Sequence, residues 1–205
     1  MGTNQRHLGK TIVSLMAILL GLLPMVVLLA SWNSIPQSIP AHWFGDFIDR
    51  WGQKWELVIF PVICLISGFL LSFFSAKQNL KNSDDARFMV ASLMVALFGF
   101  SAFSLIHIYL SLQARTFATL QLYGATLFYV LGGLIYILFG VIFSVRPIIT
   151  QQDSYKPLRV LFILAGITIL LFCGTGILKG NASLLLLILV NVLLAAFSLI
   201  YSRFR

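Results

Sequence analysis

Acidic residues are scarce in this chain. Six Asp and Glu among 205 residues, with 14 Lys and Arg, leave a charged fraction of only 10%. Water-soluble domains carry about a quarter, so the shortage excludes an ordinary cytosolic enzyme. Disorder is excluded by the 60% hydrophobic content, which is too high for a chain that fails to bury itself. Cysteine is reduced to Cys64 and Cys173. Each falls in the middle of an apolar run, so packed free thiols are expected rather than a disulfide, which needs close and aligned Cβ atoms. Catalytic signatures are missing too. His7, His42 and His107 are far apart, with no His-Glu-x-x-His pair, and neither cysteine has a metal-ligand neighbour. No phosphate-binding glycine loop and no Gly-x-Ser-x-Gly elbow occurs. Asp46 and Asp49 stand one helical turn apart, but that spacing is common on solvated helix faces. Neither enzyme chemistry nor a cofactor or metal is expected.

What the chain does have is long apolar runs, and its mean hydropathy is +0.98. They cover Thr11–Ala30, Trp55–Ser75, Phe88–Leu112, Tyr123–Val145, Leu158–Leu178 and Ser183–Tyr201. Each is close to the ~20 residues that carry a helix across about 30 Å of hydrocarbon. The expected fold is an all-α polytopic membrane protein, one domain over residues 1–205 with six transmembrane helices. The first run is longer than the apolar core of a secretory signal, and Leu28-Leu29-Ala30 is a poor cleavage site, so it is read as a retained anchor.

The net charge of +8 then reads as loop topology rather than as nucleic-acid binding. The N-terminus, second loop, fourth loop and C-terminus hold Arg6, Lys10, Lys77, Lys81, Arg87, Arg146, Lys156, Arg159, Arg203 and Arg205, ten of the 14 basic residues. Arg50, Lys54, Arg115 and Lys179 lie on the other side. Positive-inside bias places both termini in the cytoplasm. No Asp, Glu, Lys or Arg lies in the interior of a run, Glu56 and Arg159 each standing one residue in from an end, which disfavours a charged ion relay. His107 is the single exception to this lack of ionisable groups in the interior. It is read as an interfacial or packed histidine, with a role as polar partner of the first outer loop as the functional alternative. Small pairs such as Gly68 with Ser72 and Gly140 with Ser144 suit helix packing in lipid. Asn191 is expected to bond another helix, and Pro24 and Pro61 to bend the first two spans.

The first outer loop, residues 32–55, is the informative segment. All four tryptophans, Trp32, Trp43, Trp51 and Trp55, lie there, as expected of a membrane–water boundary. At 100° per residue, Trp43, Phe44, Phe47, Ile48, Trp51 and Trp55 fall on one arc, opposite Asp46, Asp49, Arg50 and Gln53. This predicts a short amphipathic interfacial helix between helices 1 and 2, started by Pro40 and weakened by Gly45 and Gly52. The null expectation is a loop that only docks on lipid and caps the bundle.

The order Ile39-Pro40-Ala41-His42-Trp43, then Asp49-Arg50-Trp51-Gly52-Gln53-Lys54 and an apolar span, resembles the outer-loop motif of the SdpI-like immunity family, within its N-terminal domain of unknown function. The likeness covers about residues 32–60. The stretch between His42 and Asp49 is one residue shorter than the family pattern, and Phe44 stands where a small polar residue is usual. The resemblance implies a bacterial cell-membrane protein whose outward-facing Pro40, His42, Asp49, Trp51, Gly52 and Lys54 meet an extracellular peptide toxin or signal. On a continuous helix His42 and Asp49 would share a face, and Lys54 could pair with Asp49 or a lipid phosphate. The family also implies a cytoplasmic repressor as an inner-face partner, near Lys77, Lys81, Arg87, Lys156 and Arg159. The alternative is a small permease or an accessory subunit of an exporter, working through hydroxyls, His107 and Asn191.

Overall fold

The computed structural model describes residues 3–44, 47–77, 84–114, 117–150, 156–175, 177–178 and 181–203. Among the described residues six α-helices follow the apolar runs: α1 Thr3–Ser31, α2 Ile59–Lys77, α3 Asp84–Leu112, α4 Phe117–Thr150, α5 Lys156–Ile169 and α6 Asn181–Arg203. A wider π turn, Leu170–Gly174, prolongs α5. Segments Lys10–Ser34, Lys54–Ala76 and Phe88–Leu112 are long and apolar enough to cross a membrane. The apolar segments described within α4, α5 and α6 are shorter: Thr126–Ile142, Leu158–Gly174 and Leu185–Leu194. Large apolar side chains such as Leu19, Leu29, Ile66 and Phe73 stand exposed along these helices. Water would penalise such surfaces at about 25 cal/mol per Å², whereas hydrocarbon would not. The architecture is that of a helical membrane protein.

The chain divides into two compact units, residues 1–39 with 52–115, and residues 40–51 with 116–205. In the first, α1 and α2 pack antiparallel along a seam of small and apolar residues. Ala17, Gly21, Pro24 and Leu28 are buried on α1; Leu57, Pro61, Cys64, Gly68, Leu71 and Ser75 are buried at the start of and along α2. The alternating spacings of four and three make an average repeat of 3.5 residues, the period that keeps one helix stripe facing its partner. A Cβ on Gly21 would lie 2.7 Å from the Cys64 carbonyl oxygen, and one on Gly68 2.6 Å from that of Ala17. Gly68 therefore works with Gly21 across the seam rather than with Ser72 along its own helix. Towards the N-terminal end of α1 and the C-terminal end of α2, the Ser14 and Ser75 hydroxyls meet at 2.9 Å.

Helix α3 joins this pair through a bond whose origin is visible in the sequence. Pro24 has no N–H, so the carbonyl four residues earlier, that of Leu20, has no α-helical donor. The Ser101 hydroxyl donates to that carbonyl at 2.7 Å. Hydrocarbon offers no water to satisfy a freed carbonyl, so a neighbouring hydroxyl is the available remedy. Pro61 sits in the first turn of α2, where backbone N–H groups have no intrahelical partner to lose.

The second unit repeats the packing rule. A Cβ on Gly166 of α5 would lie 2.5 Å from the Gly133 carbonyl oxygen of α4, and one on Gly140 would meet Ile163 at 2.6 Å. Ala165, Ile169, Val190 and Leu194 form its core, with Tyr136 and Phe162 against it. Asn191 bonds another helix as expected: Tyr136 Oη donates to Asn191 Oδ1 at 2.5 Å, and Asn191 Nδ2 donates to the Leu187 carbonyl. Cys64 and Cys173 are free and buried.

The interfacial helix expected between α1 and α2 is not formed, and the fold is not purely α. After a 3₁₀ turn at Trp32–Ser34, two strands, β1 Ser38–Phe44 and β2 Phe47–Gln53, make a two-stranded sheet. A second 3₁₀ turn, Lys54–Val58, leads into α2. The physical reason lies in the residues that weakened the helix. Pro36 and Pro40 hold the chain extended, while Ile39, Trp43, Phe44, Phe47, Ile48 and Trp51 are strand formers. Gly-Asp between two such runs is a two-residue hairpin signal. Gly45 and Asp46 occupy that place and lie outside the described residues.

Candidate functional site

The strands bring two of the expected residues into direct contact. His42 Nδ1 lies 2.6 Å from Asp49 Oδ1, with side chains 60% and 44% exposed. A carboxylate only accepts, so Nδ1 carries the proton and, in the neutral ring, Nε2 remains an acceptor. Their contact therefore comes from pairing across the sheet rather than from a shared helix face. The backbone N–H of Lys54 donates to the Gln37 carbonyl at 2.9 Å, which extends the pairing one step beyond the strand ends. Arg50 is exposed on the same strand as Asp49.

The remaining expected residues have separate places. Pro40 is fully buried in β1, while Trp51 and Gly52 are half-buried in β2. In the first unit, Leu28, Ile35, Ile39, Leu57 and Ile108 form one apolar cluster with Trp32 and Leu112 against it. Ile35 and Ile39 thus tie the beginning of the hairpin to the C-terminal ends of α1 and α3 and the approach to α2. His107 is 6% exposed, with Phe60 and Phe103 rings at centroid distances of 6.2 and 6.3 Å. It is a packed histidine inside the first unit and not a surface group.

Lys54 meets only one of its two expected partners at most, since Asp49 is taken by His42. It does not pair with Asp49. It is only 8% exposed, and its ammonium sits 4.5 Å from the Trp32 ring centroid. Among the described residues no carboxylate lies within ion-pair distance of it. Withdrawing an ammonium from water costs several kcal/mol even after relaxation, while a desolvated cation–π contact contributes about 2 kcal/mol. The contact with Trp32 offsets only part of the penalty. Lys54 also lines an open cleft of about 390 Å³ with Trp32, Gln37, Gln53 and Trp55. There Trp55 Nε1 donates to Gln53 Oε1 at 2.6 Å, and the Gln53 backbone N–H donates to Glu56 Oε1 at 2.8 Å. The Gln53 side chain also accepts from the Glu56 backbone, completing a reciprocal cap on the 3₁₀ turn.

Residues 19–65 match a family model described as a domain of unknown function, DUF1648. The match runs from the middle of α1 through the hairpin and the 3₁₀ turns to the first turns of α2, a minority of the chain. It coincides with the segment whose motif resembles the N-terminal domain of unknown function in the SdpI-like pattern. No curated protein and no solved structure matches the chain.

Sequence reasoning missed two features. Trp32 and Gln37 were not singled out as partners of Lys54, because nothing local links residue 32 to residue 54. The buried stripe Ser101, Ser104, His107 and Ser111 on α3 was also overlooked, although polar residues recurring at spacings of three and four in an apolar helix could have flagged it. The inner-face basic group lies almost wholly outside the described side chains. Of its members only Arg159 is described, and it is half-buried.

Proposed function

We propose that the chain is a six-span bacterial cell-membrane protein, with both termini cytoplasmic, that gives immunity to or senses an extracellular membrane-active peptide. It acts without catalysis, and the hairpin between α1 and α2 is its outer face. The observation carrying this reading is the exposed His42–Asp49 pair on a two-stranded sheet, within the segment that matches DUF1648. A short sheet offers two things to an extended peptide: strand edges that bond its backbone, and side chains that select its residues. His42, Asp49 and Arg50 supply polar selection, and the surrounding tryptophans hold the sheet at the lipid boundary, where such peptides concentrate. SdpI-like membership extends the reading to a cytoplasmic repressor captured at the inner face, with no direct contact to nucleic acid.

The test is expression in a cell sensitive to peptides encoded beside this chain. Survival should rise with the wild-type protein and return to that of the empty vector with His42→Ala or Asp49→Ala at equal membrane abundance. Unchanged killing by every neighbouring peptide with the wild-type chain would remove the immunity reading. Impermeant labelling of a cysteine placed at Arg50 from the cytosolic side alone would remove the orientation.

A further inference from the structure

We propose that the cleft around Lys54 is a binding site for the phosphate of a membrane phospholipid headgroup. Lys54 brings a buried positive charge with no carboxylate paired to it among the described residues, and it lines an open cleft. The other polar groups there reinforce an anion. Gln53 Oε1 already accepts from the Trp55 indole and the side chain accepts from the Glu56 backbone, so its amide NH₂ is left to donate. Gln37 provides a second amide. An oxyanion would find an ammonium and amide donors on one side and an indole wall, Trp55, on the other.

The position of the cleft selects a lipid over other oxyanion carriers. Trp32 lies near the end of the apolar segment Lys10–Ser34, and Lys54 begins the segment Lys54–Ala76. The site therefore stands where hydrocarbon gives way to headgroups, the depth at which phosphates lie and tryptophans gather. Along the same two segments Val26, Leu29, Trp55, Ile59 and Ile63 are exposed, an apolar surface for acyl chains next to a cationic pocket for the head. A phosphate bonded to a buried ammonium has the strength of a charge-assisted bond, and it supplies the counter-charge that Trp32 alone does not.

This site is independent of the peptide reading and has its own test. The full chain, purified in an uncharged detergent, is titrated by calorimetry with dihexanoylphosphatidylglycerol. Parallel titrations use dihexanoylglycerol, inorganic phosphate, and an apolar peptide with a free C-terminal carboxylate. The expected result is saturable binding of the phospholipid, weakened about tenfold or more by Lys54→Met and several-fold by Trp55→Ala, an exposed position whose loss leaves the fold intact. Dihexanoylglycerol and inorganic phosphate should bind at least tenfold more weakly to the wild-type chain. Equal binding by Lys54→Met or by the phosphate-free lipid would overturn the site. Inorganic phosphate binding as tightly as the phospholipid would overturn the lipid assignment, as would tighter binding of the carboxylate peptide. Should Lys54→Met not fold, the wild-type comparison of phospholipid with phosphate-free lipid decides alone.

Discussion

The helix pairs α1–α2 and α4–α5 are built on one packing rule and completed in different ways. Both bring glycines against backbone carbonyls, Gly21 and Gly68 in the first pair and Gly133 and Gly166 in the second. Lipid supplies no hydrophobic drive between helices, so close backbone approach and dispersion must hold them. The pairs differ in how a third helix is fastened. In the first unit, a proline frees a carbonyl and a serine on α3 takes it. In the second, Tyr136 and Asn191 join α4 to α6 through side chains alone. The first arrangement couples a backbone defect to a tertiary contact, so neither partner is dispensable once the other is present. The second is an ordinary polar tie. In the first unit Ile35 and Ile39, at the approach to and start of the hairpin, continue the core past the helix ends.

The largest expected effect comes from filling the glycine seams. Gly68→Ala and Gly166→Ala should each destabilise by about 1–3 kcal/mol, because the new methyl meets backbone that cannot rotate away. Gly132→Ala, with nothing within 4 Å of its added Cβ, should be neutral or stabilising, since alanine favours helix by up to about 1 kcal/mol. Thermal unfolding of the three variants in detergent checks the contrast. Equal losses at 132 and 166 would show that helix propensity, not the seam, governs.

A smaller effect tests the difference between the units. Ser101→Ala should cost about 1–2 kcal/mol by leaving the Leu20 carbonyl without that donor. In a Pro24→Ala background the carbonyl regains an intrahelical N–H, and the Ser101→Ala penalty should shrink to near zero. A double-mutant cycle measures this coupling directly. Tyr136→Phe should cost about 0.6 kcal/mol, the usual size of an interhelical side-chain bond in a membrane protein, with no comparable coupling to any proline. Smallest of all on stability is Asp49→Asn, under about 1 kcal/mol for so exposed a pair. The proposed immunity reading nonetheless expects survival to fall in this variant, and the divergence between unfolding temperature and survival separates a recognition role from a structural one.

Much of the fold was legible in the sequence because the signal is compositional. The runs around Thr11–Ala30 and Phe88–Leu112 read as helices whatever they pack against, since each satisfies its own backbone bonds. The loop was misread because two periods fit it. Trp43, Phe44, Phe47, Ile48 and Trp51 make an apolar arc on a helix and are also good strand residues. The Gly45–Asp46 turn signal and the two prolines outweigh the arc. At the candidate site, the motif singles out His42, Asp49 and Lys54 but not their partners. His42 and Asp49 meet through strand pairing, and Lys54 reaches Trp32, 22 positions earlier in the chain.

The sequence by itself determined the apolar helices, the clustering of the tryptophans and the supply of small residues, because each depends on local composition or on a period along one segment. The tertiary structure decided which glycines face each other, which hydroxyl answers Pro24, and that Lys54 is buried over an indole instead of paired with an acid. Those outcomes depend on which segments meet, and the freed carbonyl or buried charge finds its partner only among the groups that packing brings within bonding distance.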